Sequence, residues 1–220
     1  MTHPLDAALQ AACPCLTVPR FGPFVPLTGE GERILIASDG VYSECRRPWI
    51  HLIERIASCS LPYGPIQSRL DLILDDGQLA AMVAAFTAQA RAAGPVETAA
   101  WACLNPLQGH AMNLEPCAVL SAGVGHIRYA RPHATPSHLP IIDFHSHGHL
   151  PAFFSHEDNA DDGDHDYLKI SVVLGQVDAA RPSLVARLTG NQINLEITDW
   201  LIALCNHTFM KPSRIHDHDH

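Results

Sequence analysis

Pro140-Ile141-Ile142-Asp143-Phe144-His145-Ser146-His147-Gly148-His149-Leu150-Pro151, continuing as Ala152-Phe153-Phe154-Ser155-His156-Glu157-Asp158, is the stretch on which the reading of this 220-residue chain turns. Ile141, Ile142 and Phe144 mark a strand entering the interior. Side chains two apart on a strand share a face, so His145 and His147 can converge on one ion. Gly148 and Pro151 then turn the chain. Ser155 and Asp158 are three apart, which puts both on one side of a helical first turn. Two histidines and one carboxylate make a three-ligand zinc site whose fourth position is open to water. Zinc lowers the pKa of that water to roughly 7, so a nucleophile exists at neutral pH. Such a site also needs a general base, and a donor for the oxyanion that forms on attack. Ser155 is placed to be the donor; the base must come from elsewhere in the chain.

Other chemistries built on His-x-His fit less well. A metallo-β-lactamase pattern needs Asp and His where His149 and Leu150 stand. A cupin needs a glutamate soon after the second histidine, and the first is Glu157. Barrel amidohydrolases carry the motif near the start of a much longer chain.

Upstream, Asp75-Asp76-Gly77 supplies an N-cap and early negative charge for a helix running to about Ala93. Leu79, Met82, Val83, Phe86 and Ala90 recur at spacings of three and four, one apolar face. Gly94-Pro95 ends it, because proline disfavours helix at the residue before it. Strand-like segments follow at Ala99–Leu104, Cys117–Ser121, His126–Tyr129, Ile141–Phe144, Lys169–Leu174 and Leu184–Leu188, with a final apolar segment from Ile193 to Leu204. Earlier, Ile34-Leu35-Ile36, Ser38-Asp39-Gly40 and Val41-Tyr42 read as a β-hairpin. Trp49 to Ile56 extends that sheet or begins a helix; its period does not decide. Residues 1–30 hold five of the seventeen prolines and read as an irregular lead-in. The expected organisation is an N-terminal extension over 1–70, a mixed α/β (α+β) domain over 71–205, and a His/Asp-rich tail over 206–220.

Composition narrows the function. Charged residues are 17% of the chain, too few for a disordered tail protein, and hydrophobic residues reach 47%. A net charge of −9 argues against a nucleic-acid partner, which needs clustered Lys and Arg. No apolar run reaches the ~18 residues of a membrane span, and the first residues lack the basic start and apolar core of a signal peptide. Seven cysteines at scattered spacings then read as reduced, half-buried cytoplasmic thiols. Cys13-Pro14-Cys15 lacks the second pair that a zinc ribbon requires. Fifteen histidines remain without an assignment on these grounds.

His145-x-His147-x7-Ser155-x2-Asp158 resembles the HxHx7SxxD signature of the JAMM/MPN+ metalloproteases, the family that includes prokaryotic JAB domains. Every defined position and both spacings agree. The resemblance covers about residues 75–200 and implies a cytidine-deaminase-like fold, a central mixed β-sheet flanked by helices. It implies one Zn2+ held by His145, His147 and Asp158, with Ser155 aiding the oxyanion. In the family a glutamate lies upstream, after a helix and before a strand, in a P-x-E-x-x-x-x-L context. Pro95-Val96-Glu97 through Leu104 occupies that place, which implies Glu97 as the general base; Glu115 fits less well, since Pro116 follows it and no helix precedes it. Gly148 stands where many relatives have proline, and Asn105-Pro106 replaces their Gly-rich turn. The long N-terminal extension and the HSHG run are also similar to the JAB proteins of PRTRC cassettes, which encode ThiF-like (E1-like) and ubiquitin-like proteins.

The implied activity is hydrolysis of an amide bond at the C-terminal tail of a ubiquitin-like protein, a zinc metallopeptidase of the isopeptidase type. Two other readings stand beside it: a non-catalytic or autoinhibited JAB scaffold holding a ubiquitin-like or ThiF/E1-like partner, and a zinc hydrolase of a small amide. His149, His156 and His165 flank the site and read as solvent-facing residues or as residues supporting its ligands, rather than as a second metal set. Asp161-Asp162-Gly163-Asp164 lacks the closing glutamate of a calcium loop and reads as a solvated acidic loop. His216, His218 and His220 read as a mobile tail.

Overall fold

The computed structural model describes residues 3–163, 167–190 and 193–205. They divide into two compact units that meet in the chain at Leu74 and Asp75.

In the first unit five strands form one sheet in chain order: β1 (Cys15–Thr17), β2 (Gly31–Ile36), β3 (Gly40–Arg47), β4 (Ile50–Ser58) and β5 (Arg69–Leu72). The β2–β3 hairpin turns where Ser38-Asp39-Gly40 predicts it, with Ile36 opposite Val41. Gly40 is required there, since a Cβ would lie 2.2 Å from the Ala57 carbonyl oxygen. The segment from Trp49 resolves as strand from Ile50 onward, with Trp49 in the preceding turn. The lead-in is not wholly irregular: helix α1 spans Pro4–Ala12 and β1 pairs parallel with β2. Proline suits the first helical turn, where its missing N–H would have no partner, and His3 Nδ1 accepts the Leu5 N–H as a cap. Beyond β1, the Pro-rich segment is tied down by side chains. Glu44, fully buried, accepts from the Leu27 N–H (2.7 Å) and from Arg33 Nε (2.6 Å), and lies 2.9 Å from His51 Nε2.

The second unit is built on a six-stranded mixed sheet. Its strands are β6 (Ala99–Asn105), β7 (Ala111–Pro116), β10 (Leu139–Ser146), β11 (Lys169–Gly175), β12 (Ser183–Gly190) and β13 (Ile193–Glu196), in spatial order β13-β12-β11-β10-β6-β7. A separate hairpin pairs β8 (Val119–Gly123) with β9 (His126–Tyr129). Helices α2 (Asp76–Ala93), α3 (His156–Gly163) and α4 (Thr198–Leu204) complete the unit. This is the mixed α/β architecture that the pattern implies for a JAB-type domain.

Helix α2 begins at the expected cap, where Asp75 Oδ1 accepts the Gln78 N–H at 2.7 Å. Its buried face is Leu79, Val83, Phe86, Thr87 and Ala90; Met82 is half-buried. Thr87 joins the apolar face because its hydroxyl is satisfied by the Val83 carbonyl at 2.7 Å. Strand β10 runs through the middle of the sheet, parallel to β11 and antiparallel to β6. Phe144 stacks on Phe86 of α2 with ring centroids 5.1 Å apart, so the neighbouring His145 faces the opposite side of the sheet.

Three sequence expectations change. Strand β7 occupies 111–116, where Asn113 and Glu115 dilute the apolar signal. The segment expected at Cys117–Ser121 begins two residues later, as β8. The apolar run from Ile193 is a strand and a helix, β13 and α4, divided at Ile197. The cysteines are also less uniform than half-buried: Cys45, Cys103 and Cys205 are buried, Cys15 and Cys59 exposed. The tail over 206–220 and His165 lie outside the described residues.

Candidate metal centre

Strand β10 delivers its last side chains to the face away from α2. The antiparallel register sets His145 opposite Ala99. Beyond it, Ser146 accepts the Thr98 N–H on Oγ (3.1 Å) and donates its own N–H to the Thr98 carbonyl (2.9 Å). Glu97 lies two residues before Ala99, and this pairing brings it within electrostatic reach of His145, which is why an upstream glutamate reaches the histidine pair. On the other side, the His147 N–H donates to the Leu174 carbonyl at 2.7 Å. The motif is therefore held between the ends of β6 and β11.

Gly148 makes this close approach possible. Its φ is +55°, and a Cβ would lie 2.6 Å from the carbonyl oxygen of Pro95, two residues before Glu97. Gly148→Ala is expected to lower stability by about 2–4 kcal/mol, from left-handed backbone strain plus a clash with backbone that cannot rotate away. Urea denaturation checks this; an unchanged midpoint would show that the turn relaxes freely.

The third donor comes from α3. Ser155 caps the helix: its Oγ accepts the Asp158 N–H at 3.1 Å, while Asp158 Oδ2 accepts the Ser155 N–H at 2.6 Å. This reciprocal cap fixes the carboxylate, which the Ser155 hydroxyl also hydrogen-bonds. Asp158 Oδ1 lies 3.2 Å from His145 Nε2 and Oδ2 lies 3.8 Å from His147 Nε2. The imidazoles are tilted, with centroids 5.2 Å apart, and Phe153 packs edge-on against His147 at 4.6 Å.

Among the described residues, His145 Nε2 and His147 Nδ1 are buried side-chain nitrogens that make no hydrogen bond of good geometry. An orphaned buried nitrogen is costly, and a bound ion satisfies the one that faces the carboxylate. The separations fit as well: ligands about 2.0–2.1 Å from a tetrahedral zinc stand roughly 3.3–3.5 Å apart. The residues present therefore fit zinc in donor type and spacing.

Charge follows the same geometry. Burial opposes ionisation of Asp158, but His145 and the two Ser155 contacts outweigh it and hold the carboxyl well below the usual carboxylate range. Burial alone would lower His145; the Asp158 carboxylate reverses that and raises it. His147 is lowered, chiefly by burial and then by its neighbour His145. Glu97, 6% exposed, is pushed up to about 7, first by burial. Its carboxylate accepts the Gly125 N–H and its own N–H donates to the Gly123 carbonyl at 3.1 Å, so the β8–β9 turn holds it.

Glu97, His145, His147, Ser155 and Asp158 all line one cleft of about 660 Å³. His126, Arg128 and Tyr129 of the hairpin form another part of its wall, a contribution that the sequence reading did not assign. Glu115 stands elsewhere, beside Cys103 and His138, and is not brought to the cleft. His149 and His156 are exposed and line no part of it.

Behind the site lies a chain of buried charges. Tyr129 Oη donates to Asp143 Oδ1 (2.7 Å), and Lys169 Nζ bridges Asp143 Oδ2 and Asp162 Oδ1, both at 2.8 Å. Arg187 donates to Asp162 (2.6 Å), to Asn159 Oδ1 (2.6 Å) and to the Asp158 carbonyl (3.2 Å), and stacks over Phe154 at 3.8 Å. Asp162 is thus not part of a solvated acidic loop. It is 6% exposed on α3, because Lys169 of β11 and Arg187 of β12 neutralise it. The signal in the sequence was Asp143, Lys169 and Arg187 themselves, each charged within an apolar strand run.

Residues 79–188 match the family described as prokaryotic homologs of the JAB domain, and residues 3–73 match a domain of unknown function, DUF2016. No curated protein and no solved structure gives a significant match. Among the described residues, no helix is long and apolar enough to cross a membrane.

Proposed function

Because the chain belongs to the family of prokaryotic JAB-domain homologs, which includes metalloproteases, we propose that it is a zinc-dependent isopeptidase or peptidase acting at the C-terminal tail of a ubiquitin-like protein. The observation that carries this reading is the convergence of His145, His147 and Asp158 with Glu97 on the wall of the same cleft. His145, His147 and Asp158 would hold the ion. When bound, zinc supplies a water of lowered pKa and a Lewis acid for the scissile carbonyl. Glu97 takes the proton of the attacking water and returns it to the leaving amine; a carboxyl near pH 7 suits both transfers. The Ser155 hydroxyl, fixed at the head of α3, donates to the developing oxyanion. The hairpin residues that line the cleft, Leu120 and His126–Tyr129, are where an extended tail would dock by strand addition.

The finer assignment rests on the N-terminal extension and the HSHG run, which resemble the JAB proteins of PRTRC cassettes. There the ubiquitin-like protein is the expected substrate and the ThiF/E1-like protein the expected partner. The test is direct. Wild-type protein loaded with zinc is expected to trim residues placed beyond the tail of the cognate ubiquitin-like protein, and His147→Ala is expected to lose both metal and cleavage. Full zinc occupancy in His147→Ala overturns the ligand assignment. No cleavage by fully loaded wild type overturns the activity, and hydrolysis of acyl-amino acids alone moves the reading to a small-amide hydrolase.

A further inference from the structure

A second group of unlike donors sits at the other end of β10. Cys103 on β6, Glu115 on β7 and His138 just ahead of β10 bring a thiol, a carboxylate and an imidazole within 4.8 Å of one another. We propose that Cys103, Glu115 and His138 form a second metal site, taking a borderline divalent ion of the zinc class.

Backbone pairing places all three. The β6–β7 ladder sets Cys103 opposite Asn113 and Trp101 opposite Glu115, so Cys103 and Glu115 are diagonal neighbours on one face. His138 is fixed by a two-way bridge: its N–H donates to the Thr135 carbonyl (3.0 Å) and its carbonyl accepts the Thr135 N–H (2.8 Å). Strand pairing thus brings Cys103 and Glu115 together, and the Thr135 bridge sets His138 beside them.

The donor set selects the ion. Sulfur, nitrogen and a single carboxylate suit zinc or cobalt, whereas calcium and magnesium need six or more oxygens. The separation of His138 Nδ1 from Glu115 Oε1, 3.5 Å, already matches the edge of a tetrahedron around zinc. Cys103 is 3% exposed and closes the floor, while the Glu115 and His138 side chains remain 43% and 32% exposed and leave solvent a route in. The Cys103 thiol is hydrogen-bonded to Glu115. On binding, the sulfur–hydrogen bond breaks, the proton leaves to buffer and a sulfur–metal bond forms. The ion would then tie edge strand β7 to the start of central strand β10. His138 and His145 lie seven residues apart along an extended strand, roughly 23 Å, so this site is separate from the cleft and independent of its function.

Cobalt(II) distinguishes the two sites, because only this one offers sulfur. Full-length His147→Ala, titrated with cobalt, is expected to show a near-ultraviolet thiolate-to-cobalt charge-transfer band saturating at one equivalent. Adding Cys103→Ala should remove the band. Glu115→Gln and His138→Ala, both half-exposed and harmless to the core, should each weaken cobalt binding roughly tenfold or more. The histidines of the C-terminal segment carry no sulfur and cannot give the band. Absence of the band, or a band undiminished by Cys103→Ala, overturns the site and leaves a hydrogen-bonded cluster only.

Discussion

Glu97→Gln is expected to reduce turnover by roughly 10²–10⁴ while zinc content stays unchanged. The amide keeps the shape of the carboxyl and can still accept the Gly125 N–H, so the β8–β9 turn and the cleft wall stay in place. What it cannot do is take a proton at neutral pH. Single-turnover cleavage of an extended ubiquitin-like substrate, paired with metal analysis of the same samples, separates the two properties. Near-normal hydrolysis by the variant would remove Glu97 from the base role, whereas lost metal would recast it as part of the ion's support.

The second large effect concerns Arg187, which touches no substrate. Its guanidinium holds α3 at Asp162, at Asn159 and at the Asp158 carbonyl, and so positions the carboxylate that faces the two histidines. Arg187→Met is expected to cost about 3–5 kcal/mol, since it strips a partner from a buried charge. Metal affinity should fall by roughly 10- to 100-fold, measured by chelator competition well below the unfolding midpoint. Arg187→Lys should recover part of the stability but little of the affinity, because an ammonium cannot reproduce the planar fork. Equal metal affinity in all three proteins would show that α3 is positioned without this clamp.

The same network sets the response to acid. Burial opposes the charge of Asp162, but Lys169 and Arg187 outweigh it and depress its pKa below the unfolded value. A depressed carboxyl contributes stability that is present above the unfolded pKa, about 3.9, and is lost as pH falls through the folded pKa. Stability is therefore expected to drop below about pH 4, and to drop less steeply in Arg187→Met. Lys169 acts in the opposite sense. Burial would lower it, but Asp143 and Asp162 raise its pKa, so its contribution holds below the unfolded lysine value and is lost as pH rises through the folded one.

Local chemistry made much of the second unit legible. The Asp75 cap, the Gly94-Pro95 stop and the apolar spacing between them define α2 almost to the residue, because caps and periodicity act over a single helix. Short apolar runs between Pro and Gly breaks predict β6, β9, β10 and β11 in the same local way. Strand β7 and helix α1 escaped, one because Asn113 and Glu115 interrupt its pattern, the other because Pro4 at a helix start looks like a breaker. The spacing of His145, His147, Ser155 and Asp158 singled out a candidate site. The buried partners of α3 carried no spacing rule, since Asp143, Lys169 and Arg187 lie on three different strands.

The sequence by itself determined which residues carry donor atoms, and that four of them stand at intervals suited to a strand end followed by a helix cap. Only the tertiary structure decided where the rest of the cleft comes from. The antiparallel pairing of β6 and β10 brings Glu97 to the histidine pair, and Gly148 permits the close approach to Pro95 beside it. The β8–β9 turn then grips the carboxylate, and Arg187 fixes the helix bearing Asp158. Spacing along the chain encodes contacts within one element. Contacts between elements depend on register and close packing, which no single stretch of sequence contains.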